Sequence, residues 1–199
     1  MSEYGIIYDW TGNVINISPQ KYSAKRYNVE SDWSASAFWF EIAALSNKCK
    51  IVLNGLYENS LQGDSAVRNL FANLGVTSSF KDNSLILQRK ENTQNLVEVN
   101  LINTPDLYQP LTCTLFALSQ GVKFTGIQTL KNKETNRELA INTELRKLNG
   151  NKRIDTYNDH RMAMSFAPIC LAFGEIQINN VEVVSKSYPD FWDDLKSNE

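Results

Sequence analysis

Residues 159–174 read DHRMAMSFAPICLAFG, and two earlier stretches of the same length follow one plan with it: DWSASAFWFEIAALSN at 32–47 and DLYQPLTCTLFALSQG at 106–121. Each opens on aspartate, whose short carboxylate can accept hydrogen bonds from the free N–H groups of a helix start. Each continues with apolar and small side chains at helical spacing, so all three are predicted as well-buried helices with an aspartate cap. Pro168 interrupts the third and should kink it or shift its register.

A short alternating run follows every one of them: KIVLNG (50–55), VKFTG (122–126) and EIQINN (175–180). Alternation ending in Gly or Asn predicts a strand running into a turn. An irregular polar stretch and a second helix come next, GDSAVRNLFANLG (63–75) in the first copy and KETNRELAINTELRKLNG (133–150) in the second, with the third cut short as SYPDFWDDLKSNE. The chain thus repeats helix, strand, loop, helix in 31–105, 106–158 and 159–199. The first unit carries two further strand-like runs, VTSSF and SLILQR, before VEVNLINTP. From Asp32 to Asp106 is 74 positions and from Asp106 to Asp159 is 53, so the second unit is 21 residues shorter, with no room for that hairpin.

The first 30 residues fit the plan less well. GIIYDWTGNVINIS (5–18) predicts a hairpin turning at Thr11-Gly12-Asn13, and KYSAKRYNVES (21–31) an extended linker. Residues 1–30 read as the tail of a preceding unit, so further sequence is expected upstream.

Composition narrows the partners. The 199 residues are 42% hydrophobic, enough for a proper core, and 20 Lys plus Arg against 22 Asp plus Glu give a net charge of −2. Such a balance argues against nonspecific nucleic-acid binding, so any anion site must be local. Three widely spaced cysteines, Cys49, Cys113 and Cys170, with a single histidine, predict reduced, buried thiols and neither a disulfide framework nor a zinc site. The start MSEYGIIYDW is no signal peptide, and no apolar run approaches the roughly 18 residues of a membrane span. A soluble, cytoplasmic protein is expected.

Buried helices packed side by side bring their N-termini to one end, where free N–H groups and the helix dipole favour anions. The charged residues predicted near that end are Asp106, then Lys131, Lys133, Glu134 and Arg137 in KNKETNR, then Asp159, His160 and Arg161, and lastly Lys186 in VVSKSYPD. Any one of these alone reads as a solvated face or a simple cap; their recurrence at equivalent places in a repeat argues for a site. His160 is expected to orient its neighbours through hydrogen bonds while Arg161 makes the anion contact.

TYNDHRMAM, preceded by KETNR and followed by SKSYPDFW, resembles the C-terminal half of the 3-phosphoshikimate 1-carboxyvinyltransferase (EPSP synthase) family. ESDWSASAFWFEIAAL and NSLQGDSAV resemble segments of that family in the same order, so the likeness covers nearly the whole chain. It implies an α/β (α+β) fold, one domain of three βαβαββ-like repeats with buried parallel helices, one repeat here being shortened. It also implies transfer of the enolpyruvyl group of phosphoenolpyruvate to the 5-hydroxyl of shikimate 3-phosphate, with no metal or other cofactor. By matching motifs, Asp106 is the proton acceptor that contacts the shikimate hydroxyls, and Glu134 handles the proton on the methylene carbon. Lys133 contacts shikimate 3-phosphate, Arg137, Arg161 and Lys186 hold phosphoenolpyruvate, and Asp159 and His160 support them. Asn136 stands where the family commonly has Asp, and Thr129 where many members place Asn. Family members are about twice this length, and the resemblance implies a partner N-terminal domain without which this chain binds anions weakly and is silent. A noncatalytic binding module of the same fold is the alternative, although it has no need of both carboxyls. The related UDP-N-acetylglucosamine enolpyruvyl transferase shares the fold but normally lacks DHRMAM.

Overall fold

A computed structural model describes residues 1–90 and 94–197, in two compact units, Met1–Glu30 and Ser31–Glu199. In the first unit β1 (Asp9–Thr11) pairs antiparallel with β2 (Val14–Asn16), Thr11 opposite Val14. The two-residue turn rests on Gly12 at φ +58°, a conformation that glycine adopts at no steric cost. Beyond the hairpin the Gln20 amide accepts the Ile7 N–H at 2.8 Å and donates to its carbonyl at 2.7 Å, as a neighbouring strand would.

The second unit opens on α1 (Trp33–Leu45), where the Asp32 carboxylate accepts the Ser34 N–H at 2.8 Å. Then come β3 (Lys50–Asn54), a 3-10 turn at Gly63–Ala66 continuing as α2 (Val67–Asn73), β4 (Val76–Lys81) and β5 (Ser84–Arg89). These strands make an antiparallel sheet with β5 in the middle. The buried side chains alternate along β5, Leu85 and Leu87 inward, as a half-buried strand requires.

β6 (Glu98–Asn100) leads through a 3-10 turn at Pro105–Leu107 into α3 (Tyr108–Ala117) and β7 (Lys123–Thr125). After a turn at Gln128–Asn132 come α4 (Arg137–Lys147), β8 (Arg153–Ile154), α5 (His160–Phe166), α6 (Cys170–Phe173) and β9 (Gln177–Ile178). A 3-10 segment, Val181–Lys186, and α7 (Phe191–Lys196) close the described chain; residues 198 and 199 of the predicted C-terminal helix lie outside it. β6 pairs with β7 and β8 with β9, both parallel, which demands the crossover that α3 and α5–α6 supply.

Helix followed by strand occurs three times, and α1, α3 and α5 are the buried helices. Trp33, Phe40, Leu111, Leu115, Met162 and Phe166 join one core with Phe71, Leu85 and Leu87. A second cluster, Phe38, Met164, Val184 and Phe191, fastens the C-terminal segment. Pro168 splits the third helix into α5, a 3-10 turn at Ala167–Ile169 and α6, because its ring cannot accommodate an uninterrupted helical ladder.

Two expectations fail. Asp106 does not cap its helix: it sits within the 3-10 turn and no side-chain cap bond forms there, its carboxylate being drawn to three cations. The three thiols are not all buried: Cys170 is exposed, since the break at Pro168 turns α6 outward, and Cys49 is half-buried just ahead of β3, whereas Cys113 is buried.

Candidate active site

The charged residues singled out above converge. Arg137, first residue of α4 and only 1% exposed, spends its guanidinium on three carboxylates from three segments. Its Nε donates to Asp159 at 2.8 Å, Nη1 to Asp106 at 2.6 Å and Nη2 to Glu134 at 2.7 Å. Arg161 reaches the other Asp106 oxygen at 3.1 Å, and Lys133 approaches Asp106 at 3.1 Å. Lys186 lies 3.3 Å from Glu134. Lys131 lies exposed in the turn before them.

Local chemistry puts each group in place. Asn136 caps α4, its side-chain oxygen accepting the Leu139 N–H at 3.2 Å; Asn and Asp cap about equally well, so the departure from the family's usual residue leaves Arg137 at the helix start. Asp159 is fully buried and does two jobs: one oxygen caps α5 through the Arg161 N–H at 2.9 Å, and the other holds Arg137. His160 Nδ1 stands 3.9 Å from Asp159 and 4.0 Å from Glu134, too far for a hydrogen bond, and no other acceptor or donor reaches it. The imidazole therefore borders the cluster without the expected orienting bonds.

The electrostatics follow from this packing. Burial pushes the Asp106 carboxyl up, but Arg161, Arg137 and Lys133 outweigh it and leave it below the usual range. Burial acts on Glu134 in the same sense, and its backbone hydrogen bond, Arg137 and Lys186 together hold it down at about 2. Burial and then Arg161 lower the His160 imidazole, so it stays neutral at pH 7. Arg137 is kept charged against burial by Asp159, Asp106 and Glu134.

Asp64 completes the set, and sequence reasoning passed over it. It is 8% exposed, accepts the Ser34 hydroxyl, and feels both the Asp106 carboxylate and the Arg161 cation. The turn that carries it is pressed on the approach to Asp106: a Cβ on Gly63 would sit 2.7 Å from the Asn103 carbonyl. Nothing local in QGDS signals this, because the partners lie 30 to 97 positions away. Counting Asp64, four carboxylates face four cations, so the resting cluster is balanced. Among the described residues no group of His, Cys, Asp and Glu is placed to hold a metal ion, and no helix is long and apolar enough to cross a membrane.

Fold and cluster define a class: a mixed α/β domain that gathers cations and carboxylates around the starts of α4 and α5. The chain belongs to the EPSP synthase family, whose model, described as EPSP synthase (3-phosphoshikimate 1-carboxyvinyltransferase), matches residues 3–195. A 3-phosphoshikimate 1-carboxyvinyltransferase of Bacteroides fragilis is 38% identical over 98% of this chain and 53% of its own length. One from Methanospirillum hungatei is 32% identical over 92% of this chain and 47% of its own length. The chain therefore spans about half the length of the curated relatives it matches. The EPSP synthase of Acinetobacter baumannii superposes with a TM-score of 0.75 at 20% identity, covering 99% of this chain and 52% of that one, which shows the shared fold.

Proposed function

We propose that this chain supplies one wall of an enolpyruvyl-transfer site, acting on phosphoenolpyruvate and shikimate 3-phosphate and releasing inorganic phosphate. The observation that carries the reading is that Asp106 and Glu134, from different segments, are held by one shared set of cations around Arg137. Addition of a hydroxyl to an enol phosphate needs a base for the hydroxyl proton and an acid for the methylene carbon; elimination then returns a methyl proton to that acid's conjugate base as phosphate leaves, with fixed positive charge for two anionic substrates throughout. Asp106 takes the first role and Glu134 the second. Arg161 and Lys186 engage phosphoenolpyruvate, Lys133 the shikimate phosphate, and Arg137 exchanges carboxylate partners for substrate as the site fills. Asp159 holds Arg137 and the start of α5, and His160 packs beside them as a neutral group.

The remaining contacts come from the other half of such an enzyme. The four cations are already paired with carboxylates and only Lys133 and Lys186 are substantially open to solvent, so the chain alone gains little by exchanging partners and holds a phosphate ligand no tighter than roughly millimolar. The test is phosphate release from the two substrates by this chain alone and mixed with the complementary half. Turnover only in the mixture, abolished by Asp106→Ala or Glu134→Ala, supports the reading. A folded chain that gives no turnover in either case favours a noncatalytic binding module instead.

A further inference from the structure

The turn that delivers Asp159, His160 and Arg161 is gripped from α4. Glu144 is fully buried two helical turns beyond Arg137, so the two residues project from one face of that helix. One Glu144 oxygen accepts the Asp155 backbone N–H at 3.0 Å and the other accepts the Tyr157 hydroxyl at 2.5 Å. Lys147 bridges Glu144 at 2.8 Å and Asp155 at 3.1 Å, and the Asn179 amide, just past β9, donates to Asp155 at 2.6 Å. Within this grip Tyr157 and Asn158 hold φ angles of +53° and +57°. Asparagine visits that left-handed conformation readily, but a bulky side chain such as Tyr157 meets its own backbone there, so the surroundings must impose it at Tyr157. The Asp159 N–H then closes the turn on the Thr156 carbonyl at 2.8 Å.

In the repeat spanning 31–105 the long β4–β5 hairpin frames the corresponding stretch, whereas here residues 148–152 and the two-residue strand β8 lie between α4 and the turn, with no hairpin. We propose that Glu144 and Tyr157 are positioning residues of the charged cluster: their clasp sets the left-handed turn and thereby delivers Asp159 to Arg137 and Arg161 to Asp106. The proposal rests on reading that cluster as an anion site. Arg137 and Glu144 grip residues 155–159 from the two ends of one helix face, so slack at the Glu144 end moves the anion-binding arginine without touching the ligand.

The test titrates the isotope-labelled whole chain with phosphoenolpyruvate and with inorganic phosphate, comparing wild type, Tyr157→Phe and the core control Leu87→Val. Tyr157→Phe should weaken binding roughly threefold to tenfold, the share of a lost hydrogen bond to a buried charge that passes through the turn to the ligand. Leu87→Val, which lowers stability away from the clasp, should leave affinity unchanged, a contrast that general destabilisation does not produce. Carbon-13 tyrosine spectra report the clasp directly: the Tyr157 phenol, which burial and then the Glu144 carboxylate push up to about 12, should fall in Glu144→Gln, and the same variant replaces Tyr157→Phe if the latter does not fold. Wild-type affinity in Tyr157→Phe, or a Tyr157 phenol already titrating near the ordinary 10 in the wild type, overturns the proposal and leaves the anion site standing. Absence of binding by the wild type at tens of millimolar, roughly tenfold above the expected dissociation constant, removes the anion site itself and the proposal with it.

Discussion

Arg137 keeps a full charge at 1% exposure because three carboxylates enclose it, and the arrangement is reciprocal: Asp159, fully buried, has Arg137 as its charge partner. Arg137→Ala leaves that carboxylate in the interior without its cation, and such breaks cost about 3–5 kcal/mol. Urea denaturation at pH 7 measures it, and a loss below about 1 kcal/mol would mean that Asp159 finds another partner. Glu134 bears on both stability and chemistry. Its folded pKa, about 2, lies below the ordinary 4.5, so its stabilising contribution is present above pH 4.5 and is lost as the pH falls toward 2. A carboxylate so acidic holds no proton at neutral pH, yet the proposed role requires it to carry one. An anion that draws Lys186 and Arg137 away raises it toward the ordinary 4.5, so phosphoenolpyruvate binding measured at about pH 4 should take up protons at Glu134. Calorimetry in buffers of different ionisation enthalpy detects this, and a binding heat independent of buffer would refute the exchange of partners. Glu41 has the opposite sign. It is fully buried in α1, neither carboxyl oxygen has a hydrogen-bond partner, and burial pushes its pKa well above 4.5. The folded chain therefore keeps a proton that the unfolded chain releases above pH 4.5, and stability falls as the pH rises, by up to about 1.4 kcal/mol per unit. Glu41→Gln should flatten the difference in stability between pH 5 and pH 8; an unchanged slope would place its origin elsewhere.

At the scale of elements, the cluster depends on how strands hand over to helices. Gly126 follows β7 at φ +70°, and a Cβ there would run into the Asn100 side-chain oxygen and meet the Ile102 nitrogen at 2.5 Å. Asn100 in turn accepts the Ile102 N–H at 3.0 Å, shaping the approach to Asp106. Gly126→Ala combines an unfavourable backbone with a backbone clash, so it should destabilise by about 2 kcal/mol or more, read as a lowered Tm. The same substitution at Gly12, also at positive φ but with nothing within 4 Å of the added carbon, should cost only about 1 kcal/mol. Equal losses at the two positions would show that conformation alone matters.

For the molecule as a whole, the succession of helix and strand was legible because its signals are local: aspartates ahead of apolar runs, alternation ending in Gly or Asn, and Pro168 within a helix. The cluster was legible in part. Asp106, Glu134, Arg137, Arg161 and Lys186 stood out by recurrence and by resemblance to a family, and the fold brings them to one place. Asp64 did not stand out, nor did Glu144 and Tyr157, because each acts through partners that adjoin it only after the chain has folded. The sequence by itself determined where the helices start, which faces of the strands are apolar, and to which family the chain belongs, since caps, periodicity and motifs act over a few residues. Only the tertiary structure decided that Asp106 binds cations instead of capping its helix, that Cys170 faces outward, and that His160 touches the cluster without bonding to it. Those outcomes turn on ion pairs and packing between segments tens of residues apart, whose energies depend on distance in space and leave no mark on spacing along the chain.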